Sequence, residues 1–297
     1  MRHILATILL FVSTIMFATN TTQATDSLLS LLKTNHSPEE RIKIYRNLAD
    51  ISLDKPEFKE YLLKMYHEAS NINDKKSMLD ALNDIIIEEI NAEHKDSVTK
   101  YIGYLKQVSS PKELKYLLPL YRIRLFDSLC YSEKREETIK EELSHLESKT
   151  NETNDIYTNI ASAHIIGSSL HFDRQFKKAL PYLEKAMKLA ETLPEEEKYT
   201  YVKSISWRLG LTYGQVGQNK EAISITERLI YLMEQNYKTM YQERPFYKID
   251  LYLLQYYSFI ISNINYLTAK QEQYYWNRIQ EIGKTLVNDF DKYNYYI

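Results

Sequence analysis

Few residues in this chain have both the type and the spacing that chemistry needs. Glu142-x-x-His145 has the spacing of half a di-iron site, in which a helix turns both ligands to one face. Such a site needs a second Glu-x-x-His and two further glutamates, and no second motif is found, so a solvated helix face accounts for the pair. His164 and His171 lie two helical turns apart on one face. Their rings would then be about 10 Å apart along the axis, too far for one metal ion. Cys130 is the single cysteine. No activating partner is identifiable beside it, so it reads as a buried or half-buried thiol rather than a nucleophile. The chain has no phosphate loop, no H-E-x-x-H, no G-x-S-x-G and no C-x-x-C. The expectation is a chain without catalysis, cofactor or metal, in which the residues of interest are those that could bind.

The elements that must position such residues read as helices. Six glycines and seven prolines in 297 residues are too few for all-β or glycine-loop folds and suit helices joined by short polar loops. With 44% hydrophobic and 26% charged residues the chain can build a sizeable core. Ser37-Pro38-Glu39-Glu40 and Ser110-Pro111-Lys112-Glu113 each combine an N-cap serine, a first-turn proline and a glutamate three residues after the serine. Apolar spacing then predicts six antiparallel helix pairs, starting near residues 38, 74, 112, 153, 196 and 245. Pro119 and Pro181 fall inside predicted helices and should kink them.

At the N-terminus, Arg2 and His3 precede an apolar run from Ile4 to Ala18, and Thr22-Gln23-Ala24 offers small residues for cleavage. The reading is a signal peptide over residues 1–24, cleaved near Ala24, with the mature protein exported to a periplasmic or extracellular space. Its loss lowers the basic count from 38 to 37 against 40 acids, a net charge of −3. No basic excess points to nucleic acid. No later stretch is long and apolar enough to span a membrane. A lone cysteine excludes an internal disulfide, so packing must carry the stability.

Two segments echo each other 43 residues apart: Gly167, Leu170, Phe176, Ala179 and Ala186, then Gly210, Tyr213, Gly217, Ala222 and Leu229. Small residues at these places let two helix backbones approach closely. The pattern resembles the tetratricopeptide repeat. Gly167, Phe176, Ala179 and Ala186 match its small and large positions in one unit, and Leu209, Gly210, Tyr213, Gly217 and Ala222 match them in the next. Asn219 and Leu229 depart from it, and the 43-residue interval leaves about one extra turn for each helix. The resemblance implies an all-α, right-handed α-solenoid of about six pairs. After the leader it would comprise a divergent helical region over 25–150 and a clearer repeat region over 151–297, with repeats at 153–193 and 196–237 and a degenerate last pair. A leader followed by long, tyrosine-rich repeats also resembles the extracytoplasmic input regions of some bacterial membrane-bound regulators. That implies either a sensor input with a membrane-bound output module downstream or a free-standing relative.

In tetratricopeptide arrays the first helix of each pair lines the concave face. The resemblance therefore implies a ligand groove at His164, Ser168, His171, Trp207, Leu211 and the adjacent Arg208. An exposed tryptophan with polar neighbours suits recognition of a peptide or a sugar; the alternative is that Trp207 packs between repeats and the histidines are ordinary surface residues. The family's carboxylate clamp is not supplied by His164 and Ser168. Tyrosine is abundant, 26 in all, with Tyr252, Tyr256, Tyr257, Tyr266, Tyr274 and Tyr275 grouped in the last pair and Tyr293, Tyr295, Tyr296 and Ile297 ending the chain. These read as a partner surface or as compositional bias. The expected function is binding of a protein segment, peptide or small ligand.

Overall fold

Helix starts follow from local chemistry. Ser37 Oγ accepts from the Glu40 N–H at 3.3 Å, and the Ser37 N–H donates to Glu40 Oε2 at 2.9 Å. Ser110 and Glu113 make the same reciprocal pair at 3.3 and 2.7 Å. Thr268 and Gln271 form a third, at 3.3 and 3.1 Å, which the serine–glutamate signature does not capture.

The computed structural model describes residues 24–34, 36–53, 55–129, 140, 155–240, 244, 249–262 and 266–292. Residues 1–23, which hold most of the expected leader, Cys130, Glu142, His145 and the tail from Tyr293 to Ile297 lie outside them. Every described element is helical, with no strand among the described residues. After a short helix over 24–31 come α1 (Pro38–Ile51), α2 (Glu57–Asn71), α3 (Lys75–Asn91), α4 (Lys95–Val108) and α5 (Pro111–Leu129). Then follow α6 (Ile156–Phe172), α7 (Phe176–Ala190), α8 (Glu195–Gln215), α9 (Asn219–Met240), α10 (Ile249–Ser262) and α11 (Ala269–Lys292). Pro119 and Pro181 both lie inside single unbroken helices, α5 and α7. No described helix is long and apolar enough to cross a membrane.

The chain divides into two compact units. One unit joins the residues up to Ala81 to those from Met240 onward. Here α1 packs on α2, burying Tyr45, Leu48 and Ala49 with Leu62, Met65 and Ala69. α10 packs on α11, and its tyrosines divide: Tyr256, Tyr257 and Tyr275 are buried, whereas Tyr252, Tyr266 and Tyr274 are exposed. An ion network ties the two parts of this unit together. The Asp50 carboxylate, 3% exposed, accepts from Arg46 at 2.9 Å and from Arg244 Nε at 3.0 Å, with a second bond from Arg244 Nη2. Arg46 reaches on to Asp80 at 3.3 Å.

The other unit, Leu82–Thr239, is built around α6. That helix contains no Asp, Glu, Lys or Arg. It is buried along most of its length, as a helix uncharged on every face should be. It packs against α5, α7 and α8. α7 is amphipathic and turns Ala179, Leu183, Ala186 and Ala190 inward.

The 43-residue echo has a physical counterpart. A Cβ on Gly167 would stand 2.6 Å from Leu183 Cγ, and one on Gly210 would stand 3.2 Å from Ile225 Cγ2 and Thr226 Oγ1. Leu183 and Thr226 are themselves 43 apart, so both helix pairs cross at the same register. Their turns repeat too. Gln175 N–H bonds Leu170 C=O and Gln218 N–H bonds Tyr213 C=O, closing the same helix-terminating turn. The residue inside each turn has positive φ, Gly217 at 79° and Arg174 at 58°. Arginine pays a steric penalty there that glycine does not. Arg174→Gly is expected to raise stability by about 0.5–1 kcal/mol. A urea midpoint that stayed level or fell would contradict this.

Candidate functional site

α8 is held by its N-terminal half. The Tyr116 hydroxyl of α5 donates to Thr200 Oγ1 at 3.0 Å, and the Tyr201 hydroxyl donates to the Tyr116 carbonyl at 2.7 Å. The Tyr157 hydroxyl of α6 donates to the buried Glu197 carboxylate, which also stands 3.6 Å from Lys112 Nζ. The Tyr116, Tyr157 and Tyr201 rings pack edge-on or tilted against one another. These contacts set the rotation of α8 and therefore which of its faces is enclosed.

The enclosed face carries Tyr201, Val202, Ile205 and Leu209 in the core. The opposite stripe holds Lys203, Ser204, Trp207, Arg208 and Leu211, and all five are half-buried. Their spacing of three and four residues makes this one continuous face. From Tyr199 to Gln215 α8 contains no acid, so the stripe is cationic and aromatic.

The expected groove residues divide at this point. Trp207, Arg208 and Leu211 lie on the half-enclosed stripe, and His171 is half-buried beside it. His164 and Ser168 are 0% exposed. This corrects their expected place on an open face, since a fully covered side chain cannot touch a ligand. The cause is packing: α6 has neighbours on three sides, α5, α7 and α8. Trp207, 43 residues after His164, occupies the matching position on α8 and keeps one side half open. Of the repeat-signature residues, Ala179, Ala186 and Ala222 are in the core, Gly167 and Gly210 stand at the crossings, and Phe176 and Tyr213 are half-buried.

At one edge of the stripe the Arg208 guanidinium lies 4.2 Å from the centre of the Phe172 ring. His171 packs edge-on against Phe172 and Phe176. His171 Nδ1 is 2.8 Å from Thr212 Oγ1, and Thr212 spends its only hydroxyl proton on the Arg208 carbonyl at 2.7 Å. Nδ1 must therefore be the donor, which leaves Nε2 as an acceptor in the neutral ring. Burial, then the nearby Arg208 charge, lowers the His171 pKa to about 4.

The sign of the resulting pH dependence follows. Between pH 6.5 and about 4 the unfolded chain takes up a proton that the folded ring refuses. His171 thus withdraws stability as pH falls through that window, by about 1–2 kcal/mol once its partial exposure is discounted. His171→Gln should flatten the wild-type fall in urea midpoint from pH 7 to 4.5. An unchanged slope would contradict the assignment.

Two residues here were not anticipated. Lys203 sits one turn before Trp207 on the same stripe, a spacing visible in the sequence. Arg124 comes from α5, and no local pattern marks it. Burial, then the Arg124 charge, lowers the Lys203 pKa to about 8. No group of three or more His, Cys, Asp or Glu among the described residues could hold a metal ion.

No protein-family model matches the chain, and no curated protein matches it significantly.

Proposed function

We propose that this is an exported, tetratricopeptide-like helical-repeat binding protein that holds a protein segment or peptide against the half-enclosed stripe of α8. The supporting observation is the stripe itself: Lys203, Trp207, Arg208 and Leu211 on one helical face, half-buried, without an acid among them. A large amphipathic ring flanked by cations offers apolar contact and charge-assisted bonding together. His171 and Phe172 extend the surface from α6. His164 and Ser168 are left out of it because they are covered.

The test is a crosslinking pull-down from the exported fraction with wild type, Trp207→Ala and Arg208→Ala. A partner of the stripe is captured by wild type and lost or strongly reduced with both variants, since truncation of a central Trp or Arg anchor costs about 2 kcal/mol or more. Equal capture by all three proteins would sink the assignment.

A further inference from the structure

We propose that the outer face of α7 docks on the surface of an anionic phospholipid bilayer through Lys177, Lys178, Lys185 and Lys188. This goes beyond the partner binding assigned to α8, since it uses a different helix and a different kind of partner.

All four lysines are exposed, and so are Pro181 and Tyr182 between them. The opposite face of α7 carries Ala179, Leu183, Ala186 and Ala190 into the core, so packing fixes which side looks outward. Helical phase gathers the lysines on that outward side. Lys177 and Lys188 are eleven residues apart, about 16 Å along the axis. Glu184 is the only acid from Gln175 to Ala190, and its carboxylate accepts from the Tyr213 hydroxyl of α8 at 2.8 Å. Among the described residues none of the four lysines makes an ion pair; Lys178 Nζ donates to the neutral Gln175 side chain at 3.0 Å.

Local stability does not account for this arrangement. The first turn of α7 holds Lys177 and Lys178 and no acid, the reverse of what the helix dipole favours. Lys185 and Lys188, at i and i+3, repel each other. The exposed Arg228 of α9 shows the ordinary alternative, since it is paired with Glu191. An anionic surface would offset both costs. A bilayer suits the face better than a peptide does. The exposed side of one helix is a ridge, whereas peptides are taken into grooves or onto sheet edges. Lysine is a compact point charge without the guanidinium fork, suited to many mobile phosphates rather than to one bidentate carboxylate. The Tyr182 ring, 40% exposed beside the lysines, has the amphipathic form that settles at a bilayer–water boundary. The whole chain carries a net charge of −2, so the attraction belongs to this face and not to the molecule at large.

The test is co-sedimentation of the intact protein with phosphatidylcholine vesicles, plain or containing about one-third phosphatidylglycerol. Wild type should bind the anionic vesicles, ignore the neutral ones and be released as salt rises from about 0.05 to about 0.5 M. A fourfold variant, Lys177→Gln with Lys178→Gln, Lys185→Gln and Lys188→Gln, should weaken partitioning about a hundredfold or more, at roughly fivefold per lysine. All four side chains are exposed, so this variant should keep the wild-type circular dichroism. Glutamine at the exposed Lys75, Lys76, Lys95 and Lys106 makes the same change of net charge elsewhere and should cost no more than about a few-fold. Trp207→Ala should leave vesicle binding unchanged, which separates this surface from the α8 stripe. Absence of binding to anionic vesicles at low salt, or equal losses from the two fourfold variants, overturns the proposal. So does binding of a labelled, capped glutamate-rich peptide that the α7 variant loses, without binding to vesicles, because the ridge would then serve a protein.

Discussion

Asp50→Ala is expected to destabilise the protein by about 3–5 kcal/mol, enough to unfold a domain of modest stability. The reason is charge left behind. Asp50 is almost fully covered and is the shared acceptor of Arg46 and Arg244. Removing it takes away the carboxylate that the two guanidinium groups share, while Arg46 keeps the half-exposed Asp80 at 3.3 Å. Arg244→Ala should cost less, because Arg46 still neutralises Asp50. Urea unfolding followed by circular dichroism measures both. A loss below about 1 kcal/mol for Asp50→Ala would mean the network is no tighter than a surface pair.

Gly167→Ala should cost about 1–3 kcal/mol, even though alanine favours a helix over glycine by about 1 kcal/mol. Its added methyl would meet Leu183 Cγ at 2.6 Å and Cδ2 at 2.8 Å, and the Leu183 backbone nitrogen at 3.1 Å. Leu183 is fully buried and has nowhere to turn. Gly210→Ala is the internal control. Its nearest neighbours stand at 3.2 Å, and a few tenths of an ångström of movement would relieve them. That variant should stay within about 1 kcal/mol of wild type as the helical gain offsets the crowding. If the two variants cost the same, the α6–α7 crossing is not the tight one.

The comparison of these two glycines shows how far the sequence could be read. Ser37 with Glu40, and Ser110 with Glu113, announce their helices because capping is settled within four residues. The echo of Gly167 in Gly210 announces a shared crossing because close approach tolerates few residue types. The matching turns are half hidden, since Gly217 advertises a left-handed position and Arg174, in the same conformation, does not.

The site was less legible. Helical phase puts Trp207 and His164 at matching positions, but phase says nothing of how many neighbours cover a face. His164 is sealed by the packing around α6, and Trp207 is not. Arg244 pairs with Asp50 across 194 residues, and nearest-neighbour repeat logic contains no such contact. The Arg124 charge likewise acts on Lys203 only because α5 and α8 come together in the fold, so composition and spacing give no warning of it.

The central claim is that ligand approaches the stripe of α8. The most direct measurement places a photo-crosslinking p-benzoylphenylalanine at position 211 on the stripe and, in a second protein, at position 231, where Tyr231 is 61% exposed on α9. Irradiation in the exported fraction should give a discrete adduct from position 211 that Trp207→Ala abolishes, and none from position 231. Adducts from position 231 with none from position 211 would contradict the account.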